Sequence, residues 1–435
     1  MINLIIWFIY YVLICIFLCN WKFIKNSGIS NSNIVILFTL KIVCSFLVYL
    51  IYTRYYTNRS TADIFKLYDD AICIYNESFK NKPSVFFSIV TNYNLNTPEI
   101  LKTLQRTEHW DRSQNYSVYN DNRTIIQLNC VVRIFSFGIY HVHALMFCLF
   151  SFIGSIALFK TFILFFKEEK NKLLFGIFLV PSVLFWSSGI LKESLSLLVL
   201  GLFIFYFFSL FTRKKKSDYI ISLCLYILLF LIKPFIVILL SPSLIAYIVI
   251  SVKKTTVLKT FIITHTVLLI IFILIDYLVP GIDLLKNLSL KQNDFIEVGH
   301  LTKGTSMTTI YPINNSFFEL IKSIPTALFN SFFKPSITDL SSPLMIISFI
   351  ETHLITIAAF FICFFFKKKN NAQLAFSCLI ISFTLLSLFL IGLIVPVIGA
   401  IVRYKSTILT LFVPLILITI DLDKMKKLIS KSKNE

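Results

Sequence analysis

Uncharged apolar runs of about 20 residues recur along the whole chain, and lysine fills most of the intervals between them. "IIWFIYYVLICIFLC" (5–19) and "SLLVLGLFIFYFFSLF" (196–211) are two examples. A run of that length matches the hydrocarbon thickness of a bilayer when it is helical. In lipid a helix is also one of the few ways to satisfy every backbone N–H and C=O. Eleven such segments are expected, near 2–20, 34–53, 138–166, 173–188, 193–211, 217–232, 235–252, 257–279, 343–366, 373–395 and 404–421. The fourth and sixth are short enough to tilt, break or stop below the surface. The expected fold is all-α, a polytopic transmembrane helix bundle of about eleven spans, forming one integral membrane domain over 1–435.

Composition agrees. Hydrophobic residues make up 57% of the chain and charged residues 14%, with mean hydropathy +0.81. A soluble domain carries about a quarter of its residues charged. The net charge of +19 invites a nucleic-acid reading, but "KEEKNK" (167–172), "RKKK" (213–216), "KK" (253–254), "KKK" (367–369) and the tail "DKMKKLISKSKNE" each sit just beyond an apolar run. Lysine retained on the cytoplasmic side accounts for that placement without a polyanionic partner.

Keeping every basic cluster inside leaves the N-terminus outside and the C-terminus inside. The link "WKFIKNSGISNSN" then also falls inside. The N-terminal run lacks a basic leader and a small-residue cleavage site, so it is read as a retained span. Two long segments fall outside, 54–137 and 280–342. Within them, 122–138 and 317–335 alternate polar and apolar residues at helical spacing and suit helices lying along the membrane surface. Nine cysteines show no metal-ligand spacing; only Cys73 and Cys130 fall in the outer segments, leaving room for one disulfide there.

Four polar clusters interrupt this pattern. In "TADIFKLYDDA" (61–71) a helix would carry Asp63 and Asp70 on one face and Asp69 on another. Outer carboxylates serve as general bases or metal ligands, and they equally suit a helix start. In "WSSGILKES" (186–194) Ser187, Ser188 and Gly189 form a turn, and Glu193 suits the first turn of the next helix. Lys192 at the same position opposes the helix dipole unless an anion lies near, and a phosphate would supply one. Lys233 in "LIKPF" precedes a helix-breaking proline and either snorkels or binds an anion. Arg403, Tyr404 and Lys405 occupy the outer end of the last span, against the charge bias, as a lipid head-group site would require.

Other polar residues carry weaker signals. Lys41 lies within a span, and either snorkels or pairs with an acid. His141 and His143 are two apart and share no helix face, so core or interfacial roles suit them. Glu108, His109 and Asp111 could support acid–base chemistry or acceptor binding.

The order "DIFKLYDDA", then "PSVLFWSSGILKESL" at a span–turn–span, then "GAIVRYK" resembles the multi-spanning bacterial glycosyltransferases of the GT-C type and the O-antigen polymerase-like proteins. The resemblance covers the layout of the chain, with short motifs. It implies a catalytic base or metal ligand at Asp63. Pro181, Ser187, Ser188 and Glu193 match the turn before the next long span. One span more than in the simplest layout precedes the acidic loop, and no DxD pair accompanies Asp63, which puts a metal in question.

The resemblance further implies an integral protein of the bacterial cytoplasmic membrane, acting in surface-polysaccharide assembly. Such an enzyme takes a sugar from a polyprenyl phosphate or pyrophosphate donor at the outer face and gives it to a glycan or lipid-linked acceptor. Asp63 and Asp70 would be catalytic, with Asp63 the ligand if a divalent cation (Mg or Mn) takes part. By their own placement at the outer ends of spans, Lys192, Glu193, Lys233, Arg403, Tyr404 and Lys405 would bind substrate. Repeat-unit polymerisation and a lipid-linked glycan flippase without chemistry are the alternatives. A flippase calls for a polar path and often repeated halves, and neither is visible in the sequence.

Overall fold

A computed structural model describes the chain apart from residues 57, 61, 112–119, 280, 282, 302–305, 422, 423 and 425–435. The basic tail expected on the inside therefore lies mostly outside the described residues. Among those residues the chain forms nineteen α-helices and no strand, only two isolated β-bridges. In order they begin α1 (Ile2–Asn20), α2 (Lys22–Lys25), α3 (Asn31–Arg54), α4 (Asp63–Ile74), α5 (Pro83–Thr91), α6 (Pro98–Leu104) and α7 (Asp121–Ser136). Next come α8 (Tyr140–Phe165), α9 (Lys170–Phe178), α10 (Pro181–Trp186), α11 (Lys192–Thr212), α12 (Lys216–Ile232) and α13 (Pro234–Lys253). The last six are α14 (Val257–Leu278), α15 (Leu284–Leu301), α16 (Phe317–Phe333), α17 (Pro343–Phe361), α18 (Asn371–Ile394) and α19 (Ile398–Thr419).

Nine of these helices are long and apolar enough to cross a membrane: α1, α3, α8, α11, α13, α14, α17, α18 and α19. The chain is a helical membrane protein, with nine such helices among the described residues where the sequence suggested about eleven. The two missing segments have physical explanations. The fourth is broken, because Pro181 ends α9 early and starts a second short helix, α10. The sixth became α12, whose 17 residues rise about 26 Å, just under the hydrocarbon thickness.

Local sequence sets many of the boundaries. Ser30 accepts from the Asn33 N–H at the start of α3, and Asn370 and Gln373 close a reciprocal capping box at the start of α18. Pro343 opens α17 behind the cap Ser342, which accepts from the Met345 N–H. Lys233, non-helical before Pro234 at φ −147° and ψ 84°, separates α12 from α13.

The chain divides into two compact units. The first comprises Met1–Lys160 and Leu184–Pro234. Its core pair is α8 and α11, which run parallel and touch backbone to backbone: a Cβ on Gly201 would sit 2.2 Å from the Gly154 carbonyl oxygen. α12 packs along α11, and α4 packs on α7. The 54–137 segment is thus helical through α4–α7, and the 122–138 helix is α7, burying Ile125, Ile126, Cys130 and Val132.

The second unit comprises Thr161–Val183 and Phe235–Glu435. α16 lies against α18, where a Cβ on Gly392 would strike the Ala327 carbonyl oxygen at 1.8 Å. α9 packs on α19, with Gly176 facing Pro414. The 317–335 helix is α16, which runs through Pro325 unbroken.

Candidate functional site

Within the first unit the polar clusters of the sequence gather at the start of α11. The turn from Ser187 to Leu191 is buried throughout. Ser151 Oγ donates to the Ser187 carbonyl at 2.7 Å, Cys148 Sγ to the Ser188 carbonyl at 3.2 Å and Ser194 Oγ to the Gly189 carbonyl at 2.7 Å. These bonds satisfy carbonyls that a buried irregular segment would otherwise leave unpaired. The pairing of Gly154 with Gly201 fixes the depth. Gly154 is 154 − 140 = 14 residues into α8 and Gly201 is 201 − 192 = 9 residues into α11. Gly154 also meets Leu197, 197 − 192 = 5 residues into α11, so α11 starts roughly 7–14 Å deeper than α8, at 1.5 Å per residue.

Lys192 and Glu193 occupy the first turn of α11. Lys192 Nζ lies 2.6 Å from Asp121 Oδ2 and 2.9 Å from Asn122 Oδ1, both at the start of α7. The anion that a cation at this place requires is thus supplied by Asp121. Glu193 Oε1 accepts from Lys233 Nζ at 3.0 Å, the two side chains being 2% and 3% exposed. Lys233 is therefore enclosed rather than snorkelling. Its carboxylate partner sits where the helix dipole also favours negative charge.

Asp63 opens α4 and pairs with Lys66 at 3.2 Å. The residues that follow it, Ile64 and Phe65, share an apolar cluster with Val48, Tyr52 and Leu191. Leu191 immediately precedes Lys192, so the acidic start of α4 and the Lys–Glu start of α11 are anchored on one cluster. Asp69 forms a two-pronged bond to Arg59, at 2.8 and 2.6 Å.

Asp70 has different work from that expected of a catalytic partner. It is 4% exposed and accepts the backbone N–H groups of Glu108 at 3.0 Å and His109 at 2.8 Å, tying the loop after α6 to α4. Burial raises its pKa above the usual carboxylate range, against the opposing pull of those two amides. Glu108 thus contributes its backbone, and Asp111 pairs with Arg123. His143 is a core histidine, bonded through Nδ1 to Ser136 Oγ (3.0 Å) and through Nε2 to Asn129 Oδ1 (2.9 Å).

In the second unit Lys405 is buried. Its Nζ donates to the carbonyls of Ser331 (3.0 Å) and Lys334 (3.1 Å) and reaches the Thr352 hydroxyl at 3.5 Å. It thus caps the C-terminal end of α16, where a cation meets orphan carbonyls and the negative end of the dipole. With its N–H bonds so directed, Lys405 supports the end of α16. Tyr404 stands edge-on to the rings of Phe235 (6.4 Å) and Phe295 (6.0 Å), and Arg403 is half-buried on α19. Glu351 accepts from the Ser182 N–H at 2.8 Å and from its hydroxyl, holding the start of α10.

Among the described residues no three His, Cys, Asp or Glu side chains gather closely enough to hold a metal ion. All nine cysteines are thiols, Cys73 and Cys130 included.

Sequence reasoning missed the partners of three lysines: Asp121 and Asn122 for Lys192, Glu193 for Lys233 and Ser187 for Lys41. Asp121 and Asn122, the partners of Lys192, lie in the "NDN" that opens an amphipathic helix, and nothing in the sequence links them to α11. Lys41 meets Ser187 Oγ at 2.6 Å, a contact between residues 146 apart with no signature in the sequence.

Comparison with models of protein families, with curated proteins and with solved structures finds no match.

Proposed function

We propose that this protein is a membrane-embedded glycosyltransferase. It takes a sugar, or a repeat unit, from a polyprenyl phosphate or pyrophosphate donor and passes it to a glycan or lipid-linked acceptor in surface-polysaccharide assembly. In this reading the α4–α7 segment faces the outside of a bacterial cytoplasmic membrane. The observation that carries it is the meeting of Lys192, Lys233 and Glu193 at the recessed start of α11, beside the cluster that anchors Asp63.

The chemistry follows from those groups. An acceptor hydroxyl oxygen attacks the anomeric carbon while the bond from that carbon to the phosphate oxygen breaks and its electron pair leaves with the phosphate. Asp63 takes the acceptor proton. Lys192 and Lys233 exchange part of their contact with Asp121 and Glu193 for the phosphate, whose charge grows as it departs. Arg403 is the corresponding phosphate-binding candidate of the second unit. Repeat-unit polymerisation uses the same groups and differs only in what the lipid carries.

The test is transfer by the purified protein in proteoliposomes supplied with a polyprenyl-phosphate sugar. Loss of the general base in Asp63→Asn is expected to lower the rate by about 10²–10⁴-fold. Loss of a phosphate cation in Lys192→Met is expected to lower it by about 10²–10³-fold. Both variants should reach the membrane at normal levels. Undiminished transfer by Asp63→Asn would remove that residue from the mechanism, and no turnover of any polyprenyl-linked sugar by the unaltered protein would remove the enzyme.

A further inference from the structure

Lys41 is an enclosed charge in the middle of an apolar helix. It lies 41 − 31 = 10 residues from the start of α3 and 54 − 41 = 13 from its end, in the middle of a candidate span. It is 4% exposed. Its ammonium has three N–H bonds, and among the described residues Ser187 Oγ is the one acceptor it reaches. No carboxylate stands within ion-pair distance of it among those residues, whereas Lys192 has Asp121 and Lys233 has Glu193. An enclosed cation held by one neutral hydroxyl is poor for stability, since desolvation is compensated by neither charge nor a full set of acceptors. Structure alone gives no reason to keep it.

Its position gives one. Ser187 begins the buried turn that ends at Lys192, so Lys41 sits under the entrance to α11, on the deep side of the cations already described. The positive end of α11 points into the same turn. We infer that Lys41 is an anion-binding residue, which together with the Ser187 hydroxyl receives the phosphate of the lipid-linked donor. This rests on the proposed glycosyl transfer for the identity of the donor, and adds to it a binding residue from a span that carries none of the motifs. The ligand chemistry is a phosphate ester; a lipid phosphate and free inorganic phosphate are its two sources.

The full-length protein in detergent micelles tests this by thermal unfolding, read against added polyprenyl phosphate, the corresponding polyprenol, and inorganic phosphate. The unaltered protein should be stabilised by polyprenyl phosphate and not by polyprenol; stabilisation by inorganic phosphate alone would assign the site to the free anion. Lys41→Met should unfold at an equal or higher temperature without ligand and bind polyprenyl phosphate at least tenfold more weakly. Lys41→Arg should keep part of the affinity. Equal affinity in Lys41→Met overturns the inference, and so does failure of Lys41→Met to fold, which would make Lys41 a structural residue. The two readings fail separately. Phosphate binding that needs Lys41 without any sugar transfer leaves this inference and removes the enzyme, whereas transfer unimpaired in Lys41→Met does the reverse.

Discussion

Lys233 and Glu193 show what one buried pair does for a chain of this kind. Removing a single partner leaves an uncompensated charge in the interior, which costs about 3–5 kcal/mol, while replacing both with apolar or neutral groups of similar volume is often neutral or favourable. Lys233→Met is therefore expected to lower the unfolding temperature sharply, and the double variant Lys233→Met/Glu193→Gln to recover most of the loss. A thermal-unfolding double-mutant cycle checks this, and additive losses in the double variant would mean that the two side chains are not coupled. The same pair separates stability from the proposed function, because the double variant, though folded, lacks one of the cations proposed to bind phosphate. Asp70 and Lys405 make the complementary point. Both looked functional by charge and position, yet each is occupied by backbone groups: Asp70 by two amides, Lys405 by two carbonyls at the end of α16. A sequence shows that a charge is present in an apolar setting. It does not show which backbone groups will be left unpaired there and draw the charge in.

At the scale of the helix, glycine sets how closely the central elements approach. In the first unit Gly154 and Gly201 face each other, and in the second Gly392 faces Ala327. Without a hydrophobic force between helices in lipid, such small-residue contacts supply close packing directly. Gly201→Ala would place a methyl carbon 2.2 Å from the Gly154 carbonyl oxygen, with no flexible side chain there to give way. The helices must then separate, at a cost of about 1–3 kcal/mol or more. The expected result is a lower unfolding temperature for Gly201→Ala and an unchanged one for Gly399→Ala, whose Cβ meets nothing within 4 Å. Equal effects at both positions would refute the close approach. The broken α9–α10 pair belongs to this scale too. Its apolar content reads as one span, and Pro181 with the Glu351 cap turns it into two short helices.

Across the whole molecule, alternating apolar runs and lysine clusters imply a sidedness. By the positive-inside rule, an impermeant maleimide should label Asn94→Cys between α5 and α6 in intact cells, and Lys215→Cys between α11 and α12 only after the cells are opened, in a background with the native cysteines replaced. The reverse pattern would invert the proposed orientation and leave the α4–α7 carboxylates facing the cytoplasm. What the amino-acid order determined unaided is the all-helical membrane-spanning character, most helix boundaries and the amphipathic nature of α7 and α16. These depend on residues close together in the chain: run length, capping groups, prolines and 3.6-residue spacing. The sequence could not show that Lys192 would meet Asp121, that Lys233 would meet Glu193, or that Lys41 would end against Ser187, contacts spanning 71, 40 and 146 residues. Those were decided by tertiary structure, because a buried charge takes whichever partner packing brings within reach, and packing here depends on the closeness of α8 to α11 and the recessed start that this gives to α11.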